Sequence, residues 1–273
     1  MMRVLLAAFA LMPLSAAATP APAPAPAAPQ LVEREVRVDD RMVRALCTSG
    51  PREALLLQRD GAPLDSWRPV LERLEGAVGA CAYERTRVGG DAEARGWFEL
   101  LDEMRRVHAA LGFQRGYVLV GHGLGGSYAR LYAVARPAEI AGLVLVDPAH
   151  EDMPEEARHA MPEAAWADWM RRRSRPNADG LRESEIAQHA RASRLPDMPV
   201  TVITATRREA EPEWDERFLY EAARRVHASL LEGITRGRHI PASRSGPEIH
   251  LDEPDLVARE TTRLVRLSRG SNR

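Results

Sequence analysis

The chain has 273 residues, 45% of them apolar, which is enough for one large α/β domain with a full core and requires no second domain. A formal net charge of -1 and an isoelectric point near 6.7 leave no basic field to hold a phosphate backbone, so the composition excludes a dedicated nucleic-acid binder. All 38 basic residues in the Lys-plus-Arg count are arginine, a bias that fits codon usage across a genome better than an adaptation of this chain.

Residues 1–18 read as a targeting segment. Arg3 supplies a basic n-region, Val4 to Leu14 an apolar h-region, and Ser15-Ala16-Ala17-Ala18 a small-residue cleavage site. A membrane anchor needs about 20 apolar residues, more than this run supplies. The expectation is a secretory signal peptide and a periplasmic or secreted protein with no membrane span after cleavage. No Cys follows the h-region to take a lipid. Residues 19–30 alternate Pro with Ala, a composition that favours extended polyproline II and cannot bury a core. They form a tether, and the folded domain is 31–273.

In an exported protein the two cysteines, Cys47 and Cys81, tend to end as a disulfide. Two buried free thiols is the alternative, since the residues alone do not place the two Cα atoms near one another. No Cys or His spacing typical of a metal site is present, and no metal or cofactor is expected.

Beyond the tether, strand and helix patterns alternate, as in a mostly parallel central sheet with helices on both faces. Glu33 to Asp39 and Arg41 to Cys47 form an opening hairpin around Asp39-Asp40, and Ala54 to Leu57 is a short buried strand. Trp67 to Leu74 is helical, and Ala77 to Tyr83 is a strand. Over Asp91 to Leu111 the residues Trp97, Leu100, Leu101, Met104, Val107 and Leu111 recur at helical spacing. The strand Tyr117 to Val120 runs into a glycine cluster, and a helix Ser127 to Ala135 follows. Ile140 to Val146 and Pro199 to Ala205 are further strands, and Pro254 to Leu267 is a closing helix with Pro254 suited to its first turn.

Residues 148–195 carry no strand pattern and read as short helices, the place where this architecture holds a helical lid. Trp166, Trp169, Met161 and Met170 either line a pocket beneath it or simply pack.

The chemistry belongs at Gly121-His122-Gly123-Leu124-Gly125-Gly126, after a buried strand and before a helix. So tight a turn favours glycine, because a Cβ is poorly accommodated at its flanks. In the elbow G-x-S-x-G the central Ser is held out at the top of the sheet, and the amide after it helps bind an oxyanion. The frame matches on both sides, but its centre is Gly123, which has no side chain to attack with.

With that frame, Tyr117-Val118-Leu119-Val120-Gly121-His122 and Leu143-Val144-Leu145-Val146-Asp147 resemble the α/β-hydrolase superfamily, in its exported lipase- and esterase-like and haloperoxidase-like branch. The resemblance covers roughly Glu33 to Leu267. Cys47-Thr48-Ser49-Gly50 and Cys81-Ala82-Tyr83-Glu84-Arg85 resemble paired segments of exported members, and this resemblance also implies the disulfide. Gly237-Arg238-His239 and Ser245-Gly246-Pro247-Glu248-Ile249-His250-Leu251 resemble the stretch that usually carries Ser-Gly-His-x-Ile-His.

The resemblance puts Pro247 at the place of the general base, where proline offers no group to take a proton. His250 matches a second, usually non-catalytic His, with a substitute base as the other reading. His122 takes the variable elbow position, expected to pack beside the turn, and Leu124 follows the vacant nucleophile position. Asp147 is the candidate remnant acid, with a helix-capping role as its alternative. On the oxyanion side stands Gln58-Arg59-Asp60-Gly61, where backbone amides would have to serve. Ser127, about 6 Å along the following helix, should face away from the elbow. The implied molecule is therefore a hydrolase fold with a degenerate triad, acting by binding a small apolar or ester-like ligand or a protein partner. The competing reading is a carboxylic-ester hydrolase with a non-standard site built on Asp147, His250 or a water.

Overall fold

The computed structural model describes residues 30–59, 61–85, 96–159, 161–207 and 216–271. The signal segment and all of the tether but its last residue lie outside these, as do Asp60 and the first residues of the helix expected from Asp91.

The opening hairpin joins β1 (Val32–Val38) to β2 (Arg41–Cys47) through Asp39-Asp40, with Asp39 at φ 54°. Then come β3 (Ala54–Leu57), α1 (Arg68–Leu74) after a 3₁₀ turn Leu64–Trp67, and β4 (Ala80–Tyr83). Next are α2 (Trp97–Ala110), β5 (Tyr117–His122), α3 (Leu124–Ala135) and β6 (Ile140–Val146). Three helices follow, α4 (Met153–Arg158), α5 (Glu163–Arg173) and α6 (Glu183–Ala192). The chain ends with β7 (Val200–Ala205), α7 (Glu216–Ser229), β8 (Gly237–Ala242), α8 (Ile249–Asp252) and α9 (Pro254–Ser271).

These strands form one eight-stranded sheet in the order β1-β2-β4-β3-β5-β6-β7-β8. β1 and β2 enter antiparallel, and every pair from β4 to β8 is parallel. Strands buried on both faces need apolar side chains at every position, which is why Ala54–Leu57 and Tyr117–Val120 are unbroken apolar runs. Leu55, Leu57, Leu119, Leu143 and Leu145 point to one face and pack with Met104, Val107, Tyr128 and Tyr132 of α2 and α3. Leu56, Val118, Val120, Val144 and Val146 point to the other and pack with Val70, Leu71, Val257 and Leu264 of α1 and α9.

Cys47 and Cys81 face each other across the antiparallel pair β2 and β4, with Cα atoms 4.1 Å apart, and are joined as a disulfide. That separation suits a non-hydrogen-bonded antiparallel pair.

Several boundaries move. The strand expected from Ala77 begins at Ala80, because Ala77 and Val78 still donate to the Leu74 carbonyl and close the turn after α1. The helix expected from Ser127 starts directly after the elbow at Leu124. Three labelled elements had no sequence expectation, α7, β8 and the short α8. β8 reads Gly-Arg-His-Ile-Pro-Ala and lies at the edge of the sheet, where one face of the ladder is open and a proline is tolerated.

Candidate functional site

Loops after β3, β5, β6 and β8 meet at the C-terminal ends of the parallel strands, where an open α/β sheet places its ligands. Among the described residues they border an open cavity of about 340 Å³ lined by Arg59, His122, Gly123, Asp147, Pro247 and Glu248, with Met153, Arg173, Ala223 and His227 from the surrounding helices α4, α5 and α7.

At its floor Gly123 has φ 55° and ψ -123°, a backbone conformation that side-chain-bearing residues rarely adopt. The conformation is tied on both sides: Gly123 N–H donates to the Val146 carbonyl at 3.2 Å, and its own carbonyl accepts from Gly126 and Ala149, each at 3.0 Å. A Cβ on Gly125 would meet the Leu57 carbonyl oxygen at 2.4 Å, so α3 can lie against the end of β3 only with glycine there. The strand-to-helix turn is thus built on glycine and hydrogen-bonded on both sides, with no side chain at its centre. A Cβ built on Gly123 would stand 3.1 Å from Cβ of Arg59, which flanks the turn on the β3 side. Arg59 in turn donates from Nε to Glu248 Oε1 at 2.9 Å, so an ion pair spans the elbow from the β3 loop to the loop after β8.

Pro247 lines the same cavity, and its carbonyl accepts from His122 Nε2 at 3.1 Å. His122 is 2% exposed and its ring lies 4.4 Å from that of His250, which is wholly buried and rests 4.7 Å from the Trp67 ring. His122 therefore packs beside the turn, as its position implies. Burial pushes it below its usual pKa, against the pull of Glu248 and Asp147 toward protonation. Burial, with help from His122 and Arg59, takes His250 down to about 2. A base so reluctant to hold a proton is poorly matched to general-base work near neutrality.

Asp147 sits at the end of β6 at φ 41°, donates its N–H to the Ile203 carbonyl at 2.8 Å and accepts from the Ala205 N–H at 3.1 Å. Its carboxylate caps the neighbouring strand β7; the residue at the N-cap of α4 is Asp152. Ser127 is 4% exposed, donates to the Ala149 carbonyl at 3.0 Å and does not line the cavity. Gln58 is turned inward, donating from Nε2 to the Tyr83 carbonyl at 2.9 Å.

The helices between β6 and β7 are fastened to the sheet by two buried ion pairs. Arg130 of α3 grips Glu151 with both terminal nitrogens at 2.8 Å, and Arg85 grips Asp179 at 3.1 Å through two nitrogens. Trp166 and Trp169 lie under Arg158 and Arg173, 4.6 and 4.7 Å from the guanidinium carbons, and neither they nor Met161 and Met170 line the cavity. Met153 and Arg173 take that place.

Glu248 was not singled out as a site residue from the sequence. It brings a carboxylate oxygen to 3.9 Å from His122 Nδ1 and 3.7 Å from His250 Nε2. These are metal-ligating side chain types, and one atom from each lies within 4.8 Å of the others. No spacing rule finds them, because His122 ends β5 while Glu248 and His250 follow β8. The pairing Glu248-Ile249-His250 was the only signal present.

A family model described as the alpha/beta hydrolase fold matches residues 90–246, more than half of the chain. An uncharacterized protein of Bacillus subtilis, YqjL, is 25% identical over 215 residues, covering 72% of this chain and 77% of its own. A putative lipase from Acinetobacter baumannii superposes with a TM-score of 0.63 at 18% identity, covering 88% of this chain and 93% of that one. A haloalkane dehalogenase from Bradyrhizobium elkani also gives 0.63, at 14% identity over 89% and 100%. At such identities the solved structures speak for the fold alone, whereas the family match spans the elbow, Asp147 and the run up to Gly246. The chain belongs to the α/β-hydrolase family.

Proposed function

We propose that this is an exported α/β-hydrolase-family protein that has lost serine-hydrolase chemistry and works by holding a small ester-like ligand in the cavity above Gly123. The observation that carries the reading is the elbow itself, strained and hydrogen-bonded on both sides around a residue with no side chain, with Arg59 and Glu248 paired beside it. Pro247 at the place of the base and a wholly buried His250 add to it. The glycines that keep the turn serve the fold, and fold outlasts chemistry when sites are lost.

About 340 Å³ holds a short-chain ester. Arg59 and Arg173 on the wall favour a ligand with a carbonyl or carboxylate end, while Met153, Pro148 and Ala223 supply apolar contact. Helices α4 to α6 act as its lid. Export is supported by the Cys47–Cys81 disulfide, a bond that persists in oxidising compartments, and no described helix is long and apolar enough to cross a membrane.

The test is equilibrium binding of p-nitrophenyl butyrate, followed by recovery of the ester. The reading predicts saturable binding, intact ester after incubation, and weaker binding in Ala223→Trp, which fills the cavity. Release of p-nitrophenol above the buffer rate, or no binding at all, overturns it.

A further inference from the structure

Beneath the Arg59–Glu248 pair, three imidazole nitrogens are buried without a hydrogen-bond partner: His122 Nδ1 and both nitrogens of His250. Buried polar atoms are nearly always satisfied, and two of these three converge on one carboxylate oxygen, Glu248 Oε2, at 3.9 and 3.7 Å. The other oxygen of Glu248 is engaged by Arg59 at 2.9 Å, so Oε2 faces the histidines.

Tautomer and orientation fit the same account. His122 Nε2 donates to the Pro247 carbonyl at 3.1 Å, which leaves the lone pair of Nδ1 free on the side of Glu248. A ring N–H held by a backbone carbonyl, and a carboxylate held by a second partner, are the supports that orient ligating His and Glu side chains. Around a tetrahedral ion with bonds of about 2.0–2.1 Å, neighbouring ligand atoms stand about 3.4 Å apart. Glu248 Oε2 stands 3.9 and 3.7 Å from the two nitrogens, a few tenths of an ångström beyond that, and Glu248, 38% exposed at its side chain, is the member able to close these two; all three ligand atoms lie within 4.8 Å of one another. Two nitrogens and one oxygen suit borderline divalent ions such as Zn²⁺ and Co²⁺, not the all-oxygen shells of Ca²⁺ or Mg²⁺.

We propose that His122, Glu248 and His250 form a binding site for a divalent transition-metal ion of the zinc class. The site goes beyond the ligand reading above; it shares His122 and Glu248 with the wall of that cavity, and is probed with metal ions alone in the absence of any ester.

The test uses the purified protein after treatment with a chelator. Titration with Co²⁺ should give a visible d–d absorption band that saturates at one equivalent and is bleached by one equivalent of Zn²⁺. Zn²⁺ should also raise the melting temperature. Glu248→Gln changes a half-exposed side chain without altering its shape, and should weaken binding at least about 10- to 100-fold and abolish the thermal shift. His250→Gln should do the same, and if it does not fold, Glu248→Gln decides alone. Absence of the band, or a band and shift unchanged in Glu248→Gln, overturns the proposal. In the first case the three side chains are only an imidazole stack beside a salt bridge, and in the second the ion binds elsewhere.

Discussion

Restoring serine at the elbow should not restore an esterase. Gly123→Ser places a side chain at φ 55°, ψ -123°, a region whose occupation by a non-glycine residue costs about 1–3 kcal/mol. Its Cβ would lie 3.1 Å from Cβ of Arg59, so that side chain must also give by a few tenths of an ångström. The new hydroxyl would have no free base: Pro247 has none to offer, His122 Nε2 is tied to the Pro247 carbonyl, His250 is wholly buried, and of the other cavity histidines His227 is bonded to Thr204 and the Pro148 carbonyl while His150 Nδ1 accepts from the Asp152 N–H. Where a triad acts as a unit, loss of nucleophile or base alone costs about 10⁶ in kcat, roughly 8 kcal/mol of transition-state stabilisation. Gly123→Ser should therefore stay within background on a p-nitrophenyl ester. It should also unfold in urea about 1–3 kcal/mol more easily than the parent, with Gly123→Ala equally destabilised because the cost lies in the backbone. Turnover by Gly123→Ser that clearly exceeds both the parent and Gly123→Ala would show that a working base stands near the elbow.

Opening the Cys47–Cys81 bridge, which spans 34 residues, should lower stability by about 3–4 kcal/mol, read as a shift in the urea midpoint with and without reductant. An unchanged midpoint would mean that the reduced chain keeps the same constraint. Asp179→Ala leaves the guanidinium of Arg85, 4% exposed, buried without its carboxylate and should cost about 3–5 kcal/mol, whereas Arg85→Met with Asp179→Leu should recover most of the loss. Burial pushes His108 down to about 3. Its folded form stays neutral while the unfolded chain takes up a proton below about pH 6.5, so its contribution is complete above that pH and is lost on acidification at about 1.4 kcal/mol per unit. The slope of stability between pH 6 and pH 4 should therefore be shallower in His108→Gln, and an identical slope would exclude His108 as a source of it.

The middle of the sheet was legible because its strands are buried on both faces and so appear as unbroken apolar runs bounded by Gly, Pro and Asp. Ala54–Leu57 and Ile140–Val146 fall where expected, and the glycine cluster marked the elbow because backbone approach at Gly125 admits no Cβ. β8 was hidden since an edge strand needs no such run, and its Arg238, His239 and Pro241 read as loop. The facing pair Cys47 and Cys81 needed a register between β2 and β4 that neither strand contains by itself. Within the site, the empty centre at Gly123 was plain in the sequence. What lies beside it was not: Arg59 comes next to Gly123 only because β3 and β5 are neighbours, and it finds Glu248 only because the loop after β8 returns to the same end of the sheet. Asp147 was assigned a choice between catalysis and capping a helix, and its carboxylate bonds the next strand at Ala205. Such contacts depend on which loops share an edge, information that strand and helix patterns do not carry.

The proposed function stands on the absence of a nucleophile poised at the end of β5. It is tested most directly by incubating the purified protein with a fluorophosphonate and weighing the intact chain by mass spectrometry. An unmodified mass is expected under conditions that fully label a serine esterase run in parallel. A stoichiometric adduct that disappears in Ser127→Ala or His250→Ala would contradict it.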